Sequence, residues 1–282
     1  SVILFFVRGF NLGIDFTGGT LVEVYYPQPV QLAEVREDLE QAGLGDSVTQ
    51  YFGTAHEVLI RIPPQPGRNT AELSNRVLDA LQDPTNQAEL RRVEFVGPQV
   101  GEDLREQGGL AVLYALIGIL IYVTLRFEWR MALGAVIAII HDVIMTLGFF
   151  SLTGLQFDLN VLAAILTIIG YSINDSIVVF DRIRENFRKI RRRPADEIMN
   201  IAINETLSRT IMTGVSTMLV LTAMYFIGGE VLASFSLALI VGIVIGTYSS
   251  VYVASAYALM LGINKTDLMP VKKEGETFSE RP

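Results

Sequence analysis

"GYSINDSIVVFDRIRENF", residues 170–187, starts inside an apolar run and ends among arginines, with Asn174 and Asp175 set into its apolar part. A run of this kind is long enough to approach the ~20 residues that cross a bilayer. A carboxylate inside such a run costs from ~2.5 kcal/mol upward, so it faces a protein interior and serves a purpose there. Two questions follow: whether the rest of the chain is a membrane protein, and which other polar groups share that interior.

The bulk properties answer the first. Of the 282 residues, 50% are hydrophobic and only 18% charged, with a mean hydropathy of +0.40. This is too apolar for an ordinary soluble globule of that length. The net charge of -8 and the gathering of basic residues into one short segment argue against a nucleic-acid partner. With no cysteine, disulfides, thiolate metal sites and cysteine nucleophiles are excluded.

Five apolar runs, at 110–125, 131–157, 159–180, 210–229 and 231–264, lie near or above spanning length. "SVILFFV" at the amino end is too short to span and reads as the last turns of a helix that begins ahead of Ser1, giving a sixth span. A signal peptide is the competing reading, but the stretch lacks a basic leader and a small-residue cleavage site. The last run exceeds the bilayer core even when tilted and is expected to bend near Gly242 and Gly246, a GxxxG pair suited to close helix packing.

From Gly9 to about Arg105 the character is that of a soluble domain. "LVEVYY" (21–26), "SVTQYF" (47–52), "EVLIRI" (57–62) and "RRVEFV" (91–96) read as strands, and 30–42 and 70–82 as amphipathic helices. Asn69 and Glu72 form a capping-box pattern for the second helix. The order β-α-β-β-α-β predicts a ferredoxin-like α+β unit. It is acidic, with 16 Asp and Glu against 7 Lys and Arg between positions 9 and 106. The domains expected are 1–8, the end of a first spanning helix; 9–107, the ferredoxin-like domain; 108–264, five spanning helices starting at Gly108-Gly109; and 265–282, a tail.

Basic residues cluster in "RFEWR" (126–130) and "RIRENFRKIRRRP" (182–194), and the tail adds Lys265, Lys272 and Lys273. By the positive-inside rule these segments are expected in the cytoplasm and the ferredoxin-like domain outside.

Within the spans the candidates for chemistry are His141, Asp142, Asn174, Asp175 and Arg209. Asp142 lies about 16 Å past Met131, near the bilayer midplane, and Asp175 roughly 9 Å inside the boundary marked by Asp181. Arg209, a few residues inside the same boundary on the next helix, could pair with Asp175. A carboxyl group held between burial and a cation can gain and lose a proton on small movements. The plainer readings stand beside this one. Arg209 could snorkel to the interface, Asp181 and Arg182 mark a helix end, and His141 either relays protons or only bonds Asp142. Asn174, Ser172, Thr213, Ser216 and Thr217 would serve as interhelical glue.

Other site patterns are missing. "GIDFTGG" (13–19) has no Gly-Lys-Ser/Thr and is not expected to open a helix after a strand, so it is no P-loop. No HExxH, metal-spaced His cluster or GxSxG occurs. No enzymatic activity, cofactor or metal is expected, and an ion gradient remains as the energy source.

"FNLGIDFTGGT" (10–20), "VGPQVGEDL" (96–104), "FEWRMALG" (127–134), "HDVIMTLG" (141–148), the 170–192 stretch, "SRTIMTG" (208–214) and "GTYSSVYVASAYAL" (246–259) together resemble the SecD/SecF family of protein-export membrane proteins, within the resistance-nodulation-division superfamily. The resemblance implies a six-helix bundle with a periplasmic ferredoxin-like domain between its first two helices, in the bacterial inner membrane. It also implies a SecD partner, as a heterodimer or fused ahead of Ser1, together with SecYEG, SecA, unfolded polypeptide and membrane lipid. The activity implied is proton-driven assistance to export. The family's functional acid and arginine match Asp175 of "INDS" and Arg209 of "LSRT". Two alternatives compete with it: efflux of small molecules or lipid by a superfamily relative, and an intramembrane aspartyl protease using Asp142 and Asp175. The second fares poorly, since the residues ending at Asp175 are Ser172-Ile173-Asn174 and no Gly-x-Gly-Asp.

Overall fold

The computed structural model describes residues 9–65, 70–82, 86–190 and 192–263, the side chains of Glu230 and Val231 excepted. The expected helix end at 1–8, Asn69 of the capping box and the basic tail at 265–282 lie outside the described residues.

A two-residue strand β1 (Asn11–Leu12) and a one-turn helix α1 (Ile14–Thr17) open the chain. Then come β2 (Gly19–Tyr25), α2 (Leu32–Gln41), β3 (Val48–Phe52), β4 (Thr54–Ile62), α3 (Thr70–Ala80) and β5 (Glu89–Val96). The four longer strands form one antiparallel sheet in the order β3-β4-β2-β5. This is the split βαβ arrangement expected from the sequence. Its cause is the period of two. Val22, Val24, Val58, Ile60 and Ile62 point to one face and bury against Val35 and Leu39 of α2 and Leu73 and Val77 of α3.

The opening motif differs from expectation. "GIDFTGG" does follow a strand and does form a short helix, because Gly13 and Gly18 end the turn and let it fold tightly. Gly18 has φ 70°, and a Cβ there would lie 2.7 Å from Pro98 Cα. A side chain would therefore be both strained and obstructed.

Long helices follow: α4 (Pro98–Arg126), α5 (Trp129–Thr153), α6 (Leu159–Lys189), α7 (Ala195–Ile227) and α8 (Glu230–Tyr248), the last continued by a π-helical turn (Ser249–Val253) and α9 (Ala254–Met260). Strand β6 (Gln156–Phe157) joins α5 to α6. Among the described residues, five helical segments are long and apolar enough to cross a membrane.

Three boundaries differ from those read in the sequence. Gly108 and Gly109 lie inside α4, which begins already at Pro98, a residue well suited to a helix's first position. Asp181 and Arg182 do not end α6, and much of 182–194 is helix rather than loop. The apolar stripe continues through Ile183 and Phe187, and Glu185 pairs with Arg182 and Lys189 at helical spacing. In the last span the irregularity falls at Ser249–Val253, beyond the two glycines. Gly242 packs on Ile168, as expected of a GxxxG surface.

The chain forms two compact units. One comprises the α+β region to Tyr114 with residues 147–166 and 221–239. The other comprises 115–146, 167–220 and the chain from Ile240. The core of the second unit holds Phe127, Met131, Ala135, Val179, Phe180, Ile183, Met199, Ala254 and Ala258.

Candidate functional site: polar groups inside the helix bundle

In the second unit, α5 brings Asp142 inward until its side chain is 1% exposed. The Ser172 hydroxyl of α6 donates to its Oδ2 at 2.6 Å, and His141 Nδ1 lies 3.1 Å from its Oδ1. A hydrogen bond to a buried carboxylate is charge-assisted and shorter than a neutral one, which fits this distance. Ser172 is therefore the glue foreseen in the sequence. Thr213, Ser216 and Thr217 are not, since each hydroxyl turns back to a carbonyl of its own helix.

Space at the carboxylate comes from Gly246. A Cβ at that position would sit 3.5 Å from Asp142 Oδ2 and 3.6 Å from Ser172 Cβ. The π turn follows directly, and such single turns recur at functional sites. Its Ser249 hydroxyl is buried, forms no hydrogen bond of good geometry and faces the same carboxylate. Ser249 and Gly246 were not singled out chemically in the sequence, where no local signal marks a π turn.

Asp175, on α6, is 4% exposed, and its Oδ2 has no hydrogen-bond partner among the described residues. The Arg209 guanidinium acts on it electrostatically, yet no ion pair joins the two among the described residues. The direct pair foreseen in the sequence is thus replaced by an attraction at longer range, with Arg209 on an exposed part of α7. Asn174 is exposed and not drawn into the Asp175 environment. Nor does a hydrogen bond join Asp142 to Asp175, so the two acids do not form a shared-proton dyad among the described residues. Among the described residues, the buried hydroxyls of Ser176, Thr210 and Ser255 also lack partners.

In the first unit the "GIDFTGG" turn clasps the helix that carries these groups. Strand β1 pairs in parallel with β6, Asn11 opposite Gln156 and Leu12 opposite Phe157. The Gly13 amide donates to the Phe157 carbonyl at 2.8 Å, and the Asn11 side-chain amide to the Gly154 carbonyl at 3.0 Å. Arg61 reaches from β4 to the Leu12 carbonyl. The first turn of α6 is capped twice, by Asp158 accepting from the Val161 amide at 2.8 Å and by Asp15 accepting from the Leu159 amide at 2.9 Å. Burial lifts the Asp158 carboxyl above its ordinary pKa, opposed by the hydrogen bonds from Val161 and Ser234. Asp158 is not singled out in the sequence, although an aspartate just before an apolar run is a local cap signal. The second cap, from 144 residues away, had none.

Beside this clasp a cleft of about 910 Å³ opens on the uncovered sheet face, with Glu23, Glu94 and Asp158 set among Tyr51, Phe52 and Phe226.

Together these features define a multi-pass membrane protein with a small α+β region and ionisable groups buried between its helices. Residues 76–264 match the family described as Protein export membrane protein SecD/SecF, C-terminal, and residues 3–26 match the SecD/SecF GG Motif. The chain is 50% identical over 285 residues to protein translocase subunit SecF of Vibrio alginolyticus, covering 100% of this chain and 90% of that relative. Over 279 residues it is 50% identical to the same-named subunit of Pseudomonas aeruginosa, covering 98% and 90%. Among solved structures it resembles SecDF, a translocon-associated membrane protein of Thermus thermophilus, with 42% identity and a TM-score of 0.83. That match covers 92% of this chain and 36% of the other, so the chain spans about a third of SecDF. SecDF in a super-membrane-facing form gives a TM-score of 0.66 at 43% identity, covering 92% of this chain and 35% of that one. The chain belongs to the SecD/SecF family.

Proposed function

We propose that this chain is a SecF-type subunit that works with SecD, and beside SecYEG and SecA, to promote the late translocation of unfolded polypeptide across the bacterial inner membrane at the expense of the proton gradient. The observation that carries the reading is Asp175, a carboxyl group almost wholly buried in a spanning helix with one oxygen unpartnered and a cation acting on it from the next helix. Such a group is costly to keep charged and is eased by taking up a proton. In this proposal Asp175 takes its proton from the outer side and releases it inward as the helices rearrange. Arg209 supplies the cation on the next helix. Asp142, with His141 and Ser172, forms a second station in the relay.

The names of the relatives support the translocase assignment, and the match to SecDF supports the SecD partner. The positive-inside rule puts the basic segments at 126–130 and 182–194 in the cytoplasm, with the α+β region outside as one domain over 9–107, the spans over 108–264 and a cytoplasmic tail over 265–282. The acidic, aromatic cleft on that region would hold an extended chain weakly and with little sequence preference.

The test is export into inverted membrane vesicles containing SecD, with and without an imposed proton gradient. Asp175→Asn is expected to abolish the gradient-dependent part while insertion stays normal. Gradient-dependent export equal to wild type would overturn the proposal. In the same assay Arg209→Lys keeps partial activity and Arg209→Met none, whereas equal activity of the two would remove the ionic role.

A further inference from the structure

At the cationic end of the bundle, Arg126, Asp181, Arg184, Glu185, Arg188 and Lys189 surround a pocket of about 410 Å³ that proton coupling leaves unused. Four of the six are cations, and both carboxylates are already engaged. One Arg126 nitrogen bridges the two Asp181 oxygens at 2.8 and 2.9 Å. Glu185 accepts from Arg182 at 2.6 Å and from Lys189 at 2.5 Å. Among the described residues Arg184 has no carboxylate partner. The pocket therefore carries surplus positive charge at the level where α6 leaves its apolar stretch.

Next to it, α4 presents an exposed apolar strip, Ile121, Tyr122 and Leu125, the last 84% exposed. Arg126 is held at the end of that strip over the Phe127 ring, 5.0 Å from its centroid. A cationic pocket continuous with a lipid-facing apolar strip suits a phosphate with acyl chains attached, because headgroup and chains are bound at once. Free phosphate shares the charge but leaves the strip unused.

We propose that this pocket binds the headgroup of an anionic glycerophospholipid, its phosphate taken by Arg184, Arg188 and Lys189 and its chains laid along α4. Arginine supplies paired N–H donors that match phosphate oxygens, and lysine a mobile point charge. The site needs only that the helices span a bilayer, and so stands apart from the translocation reading.

Trp129, the chain's only tryptophan, opens α5 just past the end of α4 and reports on bound lipid. The full chain is reconstituted into mixed vesicles in which either phosphatidylglycerol or phosphatidylcholine carries brominated chains, and Trp129 quenching is recorded. Brominated phosphatidylglycerol is expected to quench at a lower mole fraction than brominated phosphatidylcholine. The preference should fall by about fivefold per charge removed in Arg184→Gln/Arg188→Gln and survive in Arg184→Lys. Millimolar inorganic phosphate should not reverse it. Equal quenching of the wild type by the two lipids would overturn the proposal whatever the variants do, as would a preference that persists in the double variant. A preference abolished by inorganic phosphate would assign the pocket to a free anion instead.

Discussion

The Asp15 carboxylate accepts a hydrogen bond from the Leu159 amide at 2.9 Å, so a residue of the opening turn caps the helix that carries Ser172 and Asp175. The first amides of a helix have no partner within it and carry its positive end. An acid supplied from elsewhere in the chain satisfies one of them and ties the two segments together. Asp15→Ala should lower stability by ~1 kcal/mol, seen as a lower midpoint in thermal unfolding of the purified protein. Asp15→Asn, which keeps an acceptor oxygen, should recover most of it. No difference between the two variants would mean that the bond contributes nothing.

Asp158 adds a pH-dependent component. Its folded pKa is raised by burial, so folding favours its protonated form. The associated stabilisation is fully present below the unfolded value and is lost as pH rises through the raised folded value. Asp158→Asn keeps an acceptor for the Val161 amide without a charge to bury. The variant should therefore match or exceed wild-type stability at pH 7, and its advantage should shrink on acidification toward the ordinary carboxylate pKa. A gap between the unfolding midpoints that stays constant with pH would show that Asp158 does not titrate in this way.

The glycines of the bundle separate into two classes by what stands opposite them. A Cβ at Gly134 would lie 2.6 Å from the Ala254 carbonyl oxygen, a backbone atom that cannot swing aside. At Gly246 the nearest atoms, Asp142 Oδ2 and Ser172 Cβ, stand at ordinary contact distance. Gly134→Ala should destabilise by ~1–3 kcal/mol, as overpacking does, whereas Gly246→Ala should fold almost as well as wild type. Thermal unfolding of the two variants side by side distinguishes them, and equal losses would mean that the helices move apart to accept either methyl.

Much of this was legible in the sequence because it is written in local periods. Alternation in "LVEVYY" and "EVLIRI" gives β2 and β4, and unbroken apolar runs give the long helices. Buried acids also betray themselves locally, since Asp142 and Asp175 interrupt runs that would otherwise be wholly apolar. What could not be read depends on pairs far apart in the chain. Nothing near Asp15 announces that its partner is Leu159. The persistence of α6 past Asp181 rests partly on Arg182 meeting Glu205 across to α7. Spacing along the chain puts Asp175 and Arg209 at similar depth and suggests a direct pair, but it does not say which side of its helix Arg209 occupies, and the arginine lies exposed on α7. The π turn at Ser249 is likewise a product of packing, in a helix whose composition would suit regular α geometry.

The contact between Ser172 and Asp142 yields the last prediction. In an interior of low dielectric, the 2.6 Å bond from Ser172 Oγ holds the carboxyl group together with the contact from His141. Ser172→Ala removes the donor but adds no bulk, and leaves a buried acceptor short of a partner at a cost of about 1–3 kcal/mol. Ser172→Thr keeps the hydroxyl and should retain most of that stability, whereas Ser172→Val has a similar shape without the donor and should not. If Asp142 is structural only, the three variants should rank the same way in thermal unfolding and in gradient-driven export. If it exchanges protons, Ser172→Ala should also shift the pH at which export is half-maximal, because the serine's hydrogen bond falls on the oxygen of the titrating group. Export with an unchanged pH profile and a lowered unfolding midpoint would reduce Asp142 to a structural acid and leave Asp175 as the single coupling group.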